Sequence, residues 1–139
     1  MRQDIRAFLD AFERASDPVD PDALRPLFAE TFMNLAPGAA SALDREAFLG
    51  ALGARRVMFD AIDATSMELA DAWETPLDDA HSWLETRWTV NFSERAPADR
   101  QLTLASAFLL QRHEGAWRVT VYLNHQDLPA VIRSLTGPA

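Results

Sequence analysis

Among the acidic residues and histidines of this sequence, two stand out because they could share the predicted apolar strand face, namely His125 and Asp71. His125 ends the last predicted strand, and its imidazole can serve as a general base because its ordinary pKa lies near neutral pH. Asp71 interrupts an otherwise apolar strand face, where a carboxylate must be paired, hydrogen-bonded or held protonated. We predict that these two residues are the catalytic candidates if the protein is an enzyme. The alternative for both is a structural position at the wet rim of the domain.

The composition excludes several other kinds of chemistry. The 139 residues include no cysteine and no lysine, so thiolate nucleophiles, disulfides, cysteine metal sites and Schiff-base lysines are ruled out. His81, His113 and His125 lack the spacing of metal ligands on one helix, so we predict neither a metal site nor a cofactor. A net charge of -8 disfavours nucleic acid and membranes as partners. The first ten residues form no apolar signal segment, which favours a cytoplasmic protein.

The strand pattern aligns large apolar side chains, Trp88 and Phe108 among them, on one face. Such a face is either closely packed core or the wall of a pocket for a hydrophobic ligand, and both uses can coexist. Asn34 follows the second predicted helix, where it either contacts a ligand or satisfies loop backbone. The predicted ligand pocket comprises Phe32, Asn34, Trp73, Trp88, Phe108, Trp117 and Val121.

The elements that must position these residues begin with helices. Apolar residues at i, i+3, i+4 and i+7 predict a first helix over residues 2–15. Asp20 followed by Pro21 is typical of the start of a second helix, and the segment 34–41 is predicted as a loop.

Asp44 is predicted to cap a third helix. Arg55 and Arg56 fall near the predicted C-terminus of this helix, where they would offset the negative end of its dipole. A short helix around residues 128–135 is predicted to close the chain.

From about residue 60 the apolar period becomes two, which predicts four long strands. The predicted inner face carries Asp71, Trp73, Trp88, Phe108, Trp117 and Val121. The opposite face carries Glu85, Arg87, Thr89, Asn91, Arg118 and Tyr122. This second face mixes small and polar groups, so it is either a flat dimer interface with cross-strand ion pairs or plain solvent-exposed surface. Helices followed by strands indicate an α+β fold, with three N-terminal helices packed on a strongly curved antiparallel sheet of about four to six strands.

Three stretches carry a resemblance to a known family, namely "DALRPLFAETF", "DREAFLGAL" and "FLLQRHEGAWRVTVYLNHQDL". Together with the order of elements, they make the chain resemble the nuclear transport factor 2-like superfamily, which includes ketosteroid isomerases and SnoaL-like cyclases. The resemblance covers nearly the whole chain. It implies a cystatin-like, cone-shaped α+β barrel with a pocket between the helices and the inner sheet face. It also implies a homodimer formed through the outer sheet face.

The catalytic residues of the isomerases have no counterpart here. Those enzymes use a tyrosine on an early helix, whereas the only tyrosine of this chain is Tyr122 on the last strand. Their buried acid on the penultimate strand would fall on Ser106 or Ala107, and their base after the second helix would fall within residues 32–36, which hold no carboxylate. We therefore do not expect isomerase activity of that kind.

The sequence predicts a single domain over residues 1–139 that binds a hydrophobic small molecule. If it is an enzyme, the class is cofactor-independent acid–base chemistry, that is, a cyclase, isomerase, dehydratase or hydrolase. The alternative is a non-enzymatic dimerising or ligand-sensing module whose pocket is filled by side chains. A hydrolase-like acid set would require Asp71 and Arg87 on one face, which strand parity forbids unless a bulge intervenes.

Overall fold

The computed structural model describes residues 1–136, in which an α-helical layer covers one face of a six-stranded sheet. The helices are α1 (Gln3–Ser16), α2 (Pro21–Leu24), α3 (Arg45–Gly50), α4 (Leu52–Ala61) and α5 (Leu128–Thr136), with a 3-10 turn at Arg25–Leu27. The strands are β1 (Phe28–Ala36), β2 (Ala39–Asp44), β3 (Ala64–Pro76), β4 (His81–Phe92), β5 (Thr103–His113) and β6 (Ala116–Asn124). The α+β fold is therefore as predicted. The predicted domain extends to residue 139, and its last three residues lie outside the described part.

The helices begin and bury residues much as their sequences indicate. Helix α1 directs Ile5, Phe8, Leu9, Phe12 and Ala15 into the core. The Asp20 carboxylate accepts hydrogen bonds from the first backbone N–H groups of α2, and the Asp44 carboxylate accepts one from Ala47 N at 3.1 Å. Within residues 1–136, no helix is long and apolar enough to cross a membrane.

The segment after α2 differs from the prediction. Residues 28–44 form the hairpin β1–β2, where the sequence predicted the end of a helix and a loop. Phe28 and Phe32 are four residues apart, a spacing that puts two side chains on one side of a strand as well as of a helix, so the apolar pattern did not distinguish the two. Pro26 resolves the ambiguity, because it cannot donate a backbone hydrogen bond and so ends the helix. Gly38 makes the hairpin turn at φ +74°.

The strands follow the order β2-β1-β6-β5-β4-β3 in a curled sheet that does not close. All neighbours are antiparallel except β1 and β6, which run parallel. The helices cover the inner face, and Trp88 and Phe108 point toward them. The ring of Phe12 in α1 lies 4.9 Å from that of Phe108 and 6.1 Å from that of Trp88.

A β-bulge in β3 changes which residues face the helices. Leu69 pairs with Trp88, but after one extra residue Asp71 pairs with Arg87. Asp71 and Trp73 therefore lie on the outer face, contrary to the alternation expected from the sequence. Trp73 is 45% exposed there.

A second bulge, in β6, has the same effect. Leu110 pairs with Val119 and Leu109 with Val121, so one extra residue lies between Val119 and Val121. Val121 is thereby moved to the outer face, and Tyr122 turns inward, where it is buried. The sequence had predicted the opposite side for both residues.

Candidate functional site

A cavity of about 410 Å³ lies between the helices and the inner face of the sheet. Cavities of roughly 150 Å³ accommodate benzene, so this space holds the equivalent of roughly two to three such rings. Its walls are mainly apolar, and the polar lining residues are Ser16, Asp17, Arg55, Arg56, Ser66, Ser106, Tyr122, Asn124 and Gln126. An apolar space with a few polar groups is the usual composition of a small-molecule site.

The residue that follows helix α1, Asp17, has its carboxylate at this cavity because α1 and Asp17 bind the free edge of the sheet. Strand β3 is the last strand of the sheet, so its outward N–H groups have no neighbouring strand to bind. The Glu13 carboxylate accepts a hydrogen bond from Leu69 N at 3.0 Å, and the Asp17 carboxylate accepts one from Met67 N at 3.0 Å. Asp17 is the one carboxylate among the described residues that line the cavity.

The side chains of Thr86, Trp88 and Ser106 form a buried hydrogen-bond network on the inner face of the sheet. The Thr86 hydroxyl lies 2.9 Å from Trp88 Nε1, 2.9 Å from the carbonyl oxygen of Ser106 and 2.8 Å from the Ser106 hydroxyl. The indole can only donate and the carbonyl can only accept. All three contacts are satisfied when Thr86 donates to the carbonyl and accepts from both Trp88 and the Ser106 hydroxyl. Ser106 Oγ then offers only lone pairs to the cavity, as an acceptor.

Strand β6 contributes two further polar groups. The Tyr122 ring packs against Phe108 at 5.0 Å and against Phe28 at 6.2 Å. Within residues 1–136, neither the Tyr122 hydroxyl nor the Asn124 amide makes a side-chain hydrogen bond, so both are available to a ligand. Asp17 and Tyr122 are therefore the cavity groups that can exchange a proton with a bound molecule.

Helix α4 supplies two neighbouring arginines with different partners. The Arg56 guanidinium forms an ion pair with Asp60 and donates to the carbonyl oxygen of Ala64 at 3.2 Å. The Arg55 guanidinium carbon lies 5.4 Å from the centre of the Phe59 ring, and its Nε is buried without a hydrogen-bond partner. Both arginines lie in the first half of α4, which runs on to Ala61, so neither offsets the C-terminal dipole as predicted.

The two predicted catalytic residues lie outside the lining of this cavity. His125 Nε2 is 3.0 Å from the outward-facing Glu85 carboxylate, and the imidazole is 41% exposed. Asp71 is exposed on the outer face opposite Arg87. The β3 bulge thus brings Asp71 and Arg87 to one side, but on the face away from the cavity. Catalytic roles for His125 and Asp71 stay predictions, and the cavity does not supply their setting.

Of the seven predicted pocket residues, Trp88 lines the cavity. Phe32 and Phe108 are buried in the aromatic core beside it. Trp117 is also core, and its indole donates to Asp4 at 2.8 Å. The two bulges carry Trp73 and Val121 to the outer face. Asn34 lies in β1, paired with Ser41.

The sequence pattern did not indicate Asp17, Arg55 and Tyr122 as cavity residues. Tyr122 was assigned to the wrong face because the bulge before it has no signature in the alternating pattern. Asp17 lies in the polar segment after α1, which carries the composition of an ordinary turn. Arg55 was interpreted as a dipole partner because the helix was predicted to end near it.

The curled sheet with a helical layer and a cavity between them defines a cystatin-like α+β protein. The sequence from residue 1 to 127 matches the family model described as NTF2-like protein (DUF6841). The chain belongs to this NTF2-like family. No curated protein matches the chain at a significant level.

Solved structures share the fold at low sequence identity. An NTF2-like protein of unknown function from Shewanella oneidensis MR-1 superposes with a TM-score of 0.69 at 16% identity, covering 88% of this chain and 97% of that one. An NTF2-like protein with a cystatin-like fold from Novosphingobium aromaticivorans gives 0.67 at 20% identity, with 96% and 87% covered. A proposed polyketide cyclase from Xanthomonas campestris pv. campestris gives 0.60 at 20% identity, with 96% and 98% covered. At these identities the likeness establishes the fold alone.

Proposed function

We propose that this protein binds an apolar organic molecule, of roughly two to three rings, in the cavity between its helices and its sheet. The single observation that carries the proposal is the open, mainly apolar volume of about 410 Å³ next to a densely packed aromatic core. The rival hypothesis, a module whose interior is filled by side chains, predicts no open volume of this size. The fold of the proposed cyclase from Xanthomonas is compatible with such a role but does not establish it.

If the bound molecule also reacts, we propose cofactor-independent acid–base chemistry within the same cavity. Asp17 has one oxygen held by the backbone of Met67, which fixes the carboxylate beside the cavity. Tyr122 lines the same space, and its hydroxyl makes no hydrogen bond within residues 1–136. A proton transfer between these groups and a ligand suits a cyclase, isomerase, dehydratase or hydrolase alike.

The proposed binding is tested with N-phenyl-1-naphthylamine, a neutral two-ring-system probe whose fluorescence rises in apolar surroundings. We expect saturable binding to the wild-type protein. The variant Leu52→Phe adds volume inside the cavity, because Leu52 lines it from α4, and is expected to weaken binding by about tenfold. The control Val57→Phe adds the same kind of group to an exposed position of the same helix, where Val57 is 68% exposed.

Two results would overturn the proposal. The first is an absence of saturable fluorescence with the wild-type protein. The second is an equal loss of affinity in both variants, which would place the bound probe on the surface of α4 rather than in the cavity.

We also propose that the outer sheet face forms a homodimer. Apolar side chains of β1 and β6, including Met33, Val121 and Leu123, alternate outward there. The Glu85–His125 contact and the cross-strand neighbours Asp71 and Arg87 lie on the same face. A two-fold axis through this face would bring apolar groups together and let the charged groups pair across it.

A further inference from the structure

The Arg55 guanidinium is a cation without an anion in the wall of an apolar cavity. Its Nε is buried without a hydrogen-bond partner, and among residues 1–136 no carboxylate lies within ion-pair distance of it. Leaving a charged donor buried and unpaired costs more than leaving a neutral one. Folding therefore tolerates a local cost at this position.

The neighbouring Arg56 shows that an arginine of α4 can have both an ion pair and a hydrogen bond. Arg56 also borders the cavity, but its guanidinium is engaged by Asp60 and by the Ala64 carbonyl. The chain has 21 acidic residues against 13 basic ones, so carboxylates are abundant, yet none of the described ones, the cavity-lining Asp17 included, lies within ion-pair distance of Arg55. A buried nitrogen without a hydrogen bond also occurs in Arg118, and Arg2 Nη2 lies 2.7 Å from the Glu74 carboxylate, so it is ion-paired; neither of these residues lines the cavity.

The surroundings of Arg55 keep its binding edge available. The guanidinium carbon lies over the Phe59 ring, 5.4 Å from its centre, and within residues 1–136 none of the Arg55 guanidinium N–H donors makes a hydrogen bond. A planar pair of donors matches the two oxygens of a carboxylate. Across the cavity, the described sheet wall offers the acceptor Ser106 Oγ, the indole of Trp88, whose N–H is engaged by Thr86, and the neutral donors of Tyr122 and Asn124, so it holds no second cation.

We propose that the ligand of this cavity is an organic acid, with an apolar ring body in the aromatic part of the cavity and a carboxylate on Arg55. This inference rests on the proposed function, because it assumes that the cavity is a ligand site. The partner that Arg55 lacks in the protein is the one that the ligand supplies. The net charge of the protein repels anions, so a preference for the carboxylate cannot come from the overall charge and requires a local cation.

The test compares 2-naphthoate with 2-naphthalenemethanol, which share the ring body and differ in charge. Their affinities are measured at pH 7.5 by displacement of N-phenyl-1-naphthylamine. We expect the wild-type protein to bind the carboxylate about tenfold more tightly than the alcohol, because one charge-assisted bidentate pair at a partly exposed site is of that order. Equal affinity, or tighter binding of the alcohol, in the wild-type protein would overturn the inference whatever the variants do.

Two variants then locate the preference. Arg55→Gln is expected to reduce the ratio of the two affinities to about one, and the matched substitution Arg56→Gln is expected to leave a clear preference for the carboxylate. A preference that survives in Arg55→Gln, or that is lost in Arg56→Gln instead, would overturn the assignment to Arg55. If the alcohol and the neutral probe bind and the carboxylate has no advantage, this inference fails while the proposed function stands. If none of the three compounds binds, the proposed function itself fails.

Discussion

Replacing Thr86 by valine should expose the energetic weight of the hydrogen-bond network beneath the cavity. The two side chains have nearly the same shape, so the change removes a hydroxyl without opening a void. Thr86 is 1% exposed and Trp88 is 5% exposed, so water cannot replace the lost partner of the Trp88 indole N–H. Trp88 and Ser106 both line the cavity, but the Ser106 hydroxyl can rotate toward it, whereas the rigid indole of Trp88 cannot redirect its N–H without moving the whole ring.

The magnitude follows from counting which groups are left unpaired. One buried indole donor loses its acceptor, which costs about 1–3 kcal/mol, and the Ser106 bonds are lost with partial replacement. We therefore expect Thr86→Val to lower the free energy of unfolding by about 2 kcal/mol. In the double variant Thr86→Val/Trp88→Phe the donor is absent, so the penalty for leaving it unpaired disappears. The two substitutions should therefore be non-additive, with the double variant about 1 kcal/mol more stable than the sum predicts.

Urea unfolding followed by far-UV circular dichroism measures these differences, because the backbone signal does not depend on Trp88 fluorescence. The slope of the free energy against urea should be the same in all four proteins, so that a shift in the midpoint reports stability. Additivity within about 0.3 kcal/mol would refute the network, since independent sites add to that accuracy.

Two further predictions concern the charged anchor of α1 and the outer face. Burial alone would raise the pKa of the Glu74 carboxyl, but hydrogen bonds from Ser82 and from the backbone and side chain of Arg2 outweigh it and lower that pKa below the ordinary 4.5. The ionised Glu74 carboxylate thus stabilises the folded protein above pH 4.5, and this contribution is lost as the pH falls through the lower pKa of the folded state. Glu74→Gln should therefore lower the free energy of unfolding by about 1–2 kcal/mol at pH 7 and flatten the decrease of stability in acid. An unchanged decrease in acid, measured by thermal unfolding, would contradict this. For the outer face, sedimentation equilibrium should show a wild-type dimer and a monomeric Leu123→Glu, with Val57→Glu on α4 still dimeric; a monomeric wild-type protein at 100 µM, chosen as about a hundred times a micromolar dissociation constant, would rule the dimer out.

The sequence predicts the fold well wherever one local rule is decisive. The apolar stripe of α1 and the Asp44 cap of α3 are both realised, because helical period and capping are local properties. The inner face of β4 and β5 is also as the alternation predicts, since these two strands pair in register without a bulge. Trp88 and Phe108 accordingly face the helices.

The candidate site is predicted less well because single-residue bulges reverse strand faces. One extra residue in β3 moves Asp71 and Trp73 outward, and one in β6 exchanges the sides of Val121 and Tyr122. A bulge is set by pairing with the neighbouring strand rather than by the alternation itself, so the pattern of one strand does not reveal it. For this reason the alternation predicted Tyr122 on the outer face, although its side chain lies on the inner face beside the cavity.

Core and cavity wall cannot be separated by hydrophobicity in this protein because they are parts of one aromatic cluster. The rings of Phe12 and Tyr122 pack against the fully buried ring of Phe108, and the ring of Phe28 packs against both of them. Phe12, Phe28 and Tyr122 also line the cavity. Substituting these rings therefore changes stability and binding together. Residues of α4 differ in this respect, because Leu52 and Arg55 border the cavity from a helix whose neighbouring Val57 is exposed. We therefore expect substitutions at these α4 positions to change ligand selectivity with less effect on stability, whereas substitutions of the aromatic rings of the sheet and α1 disturb the fold.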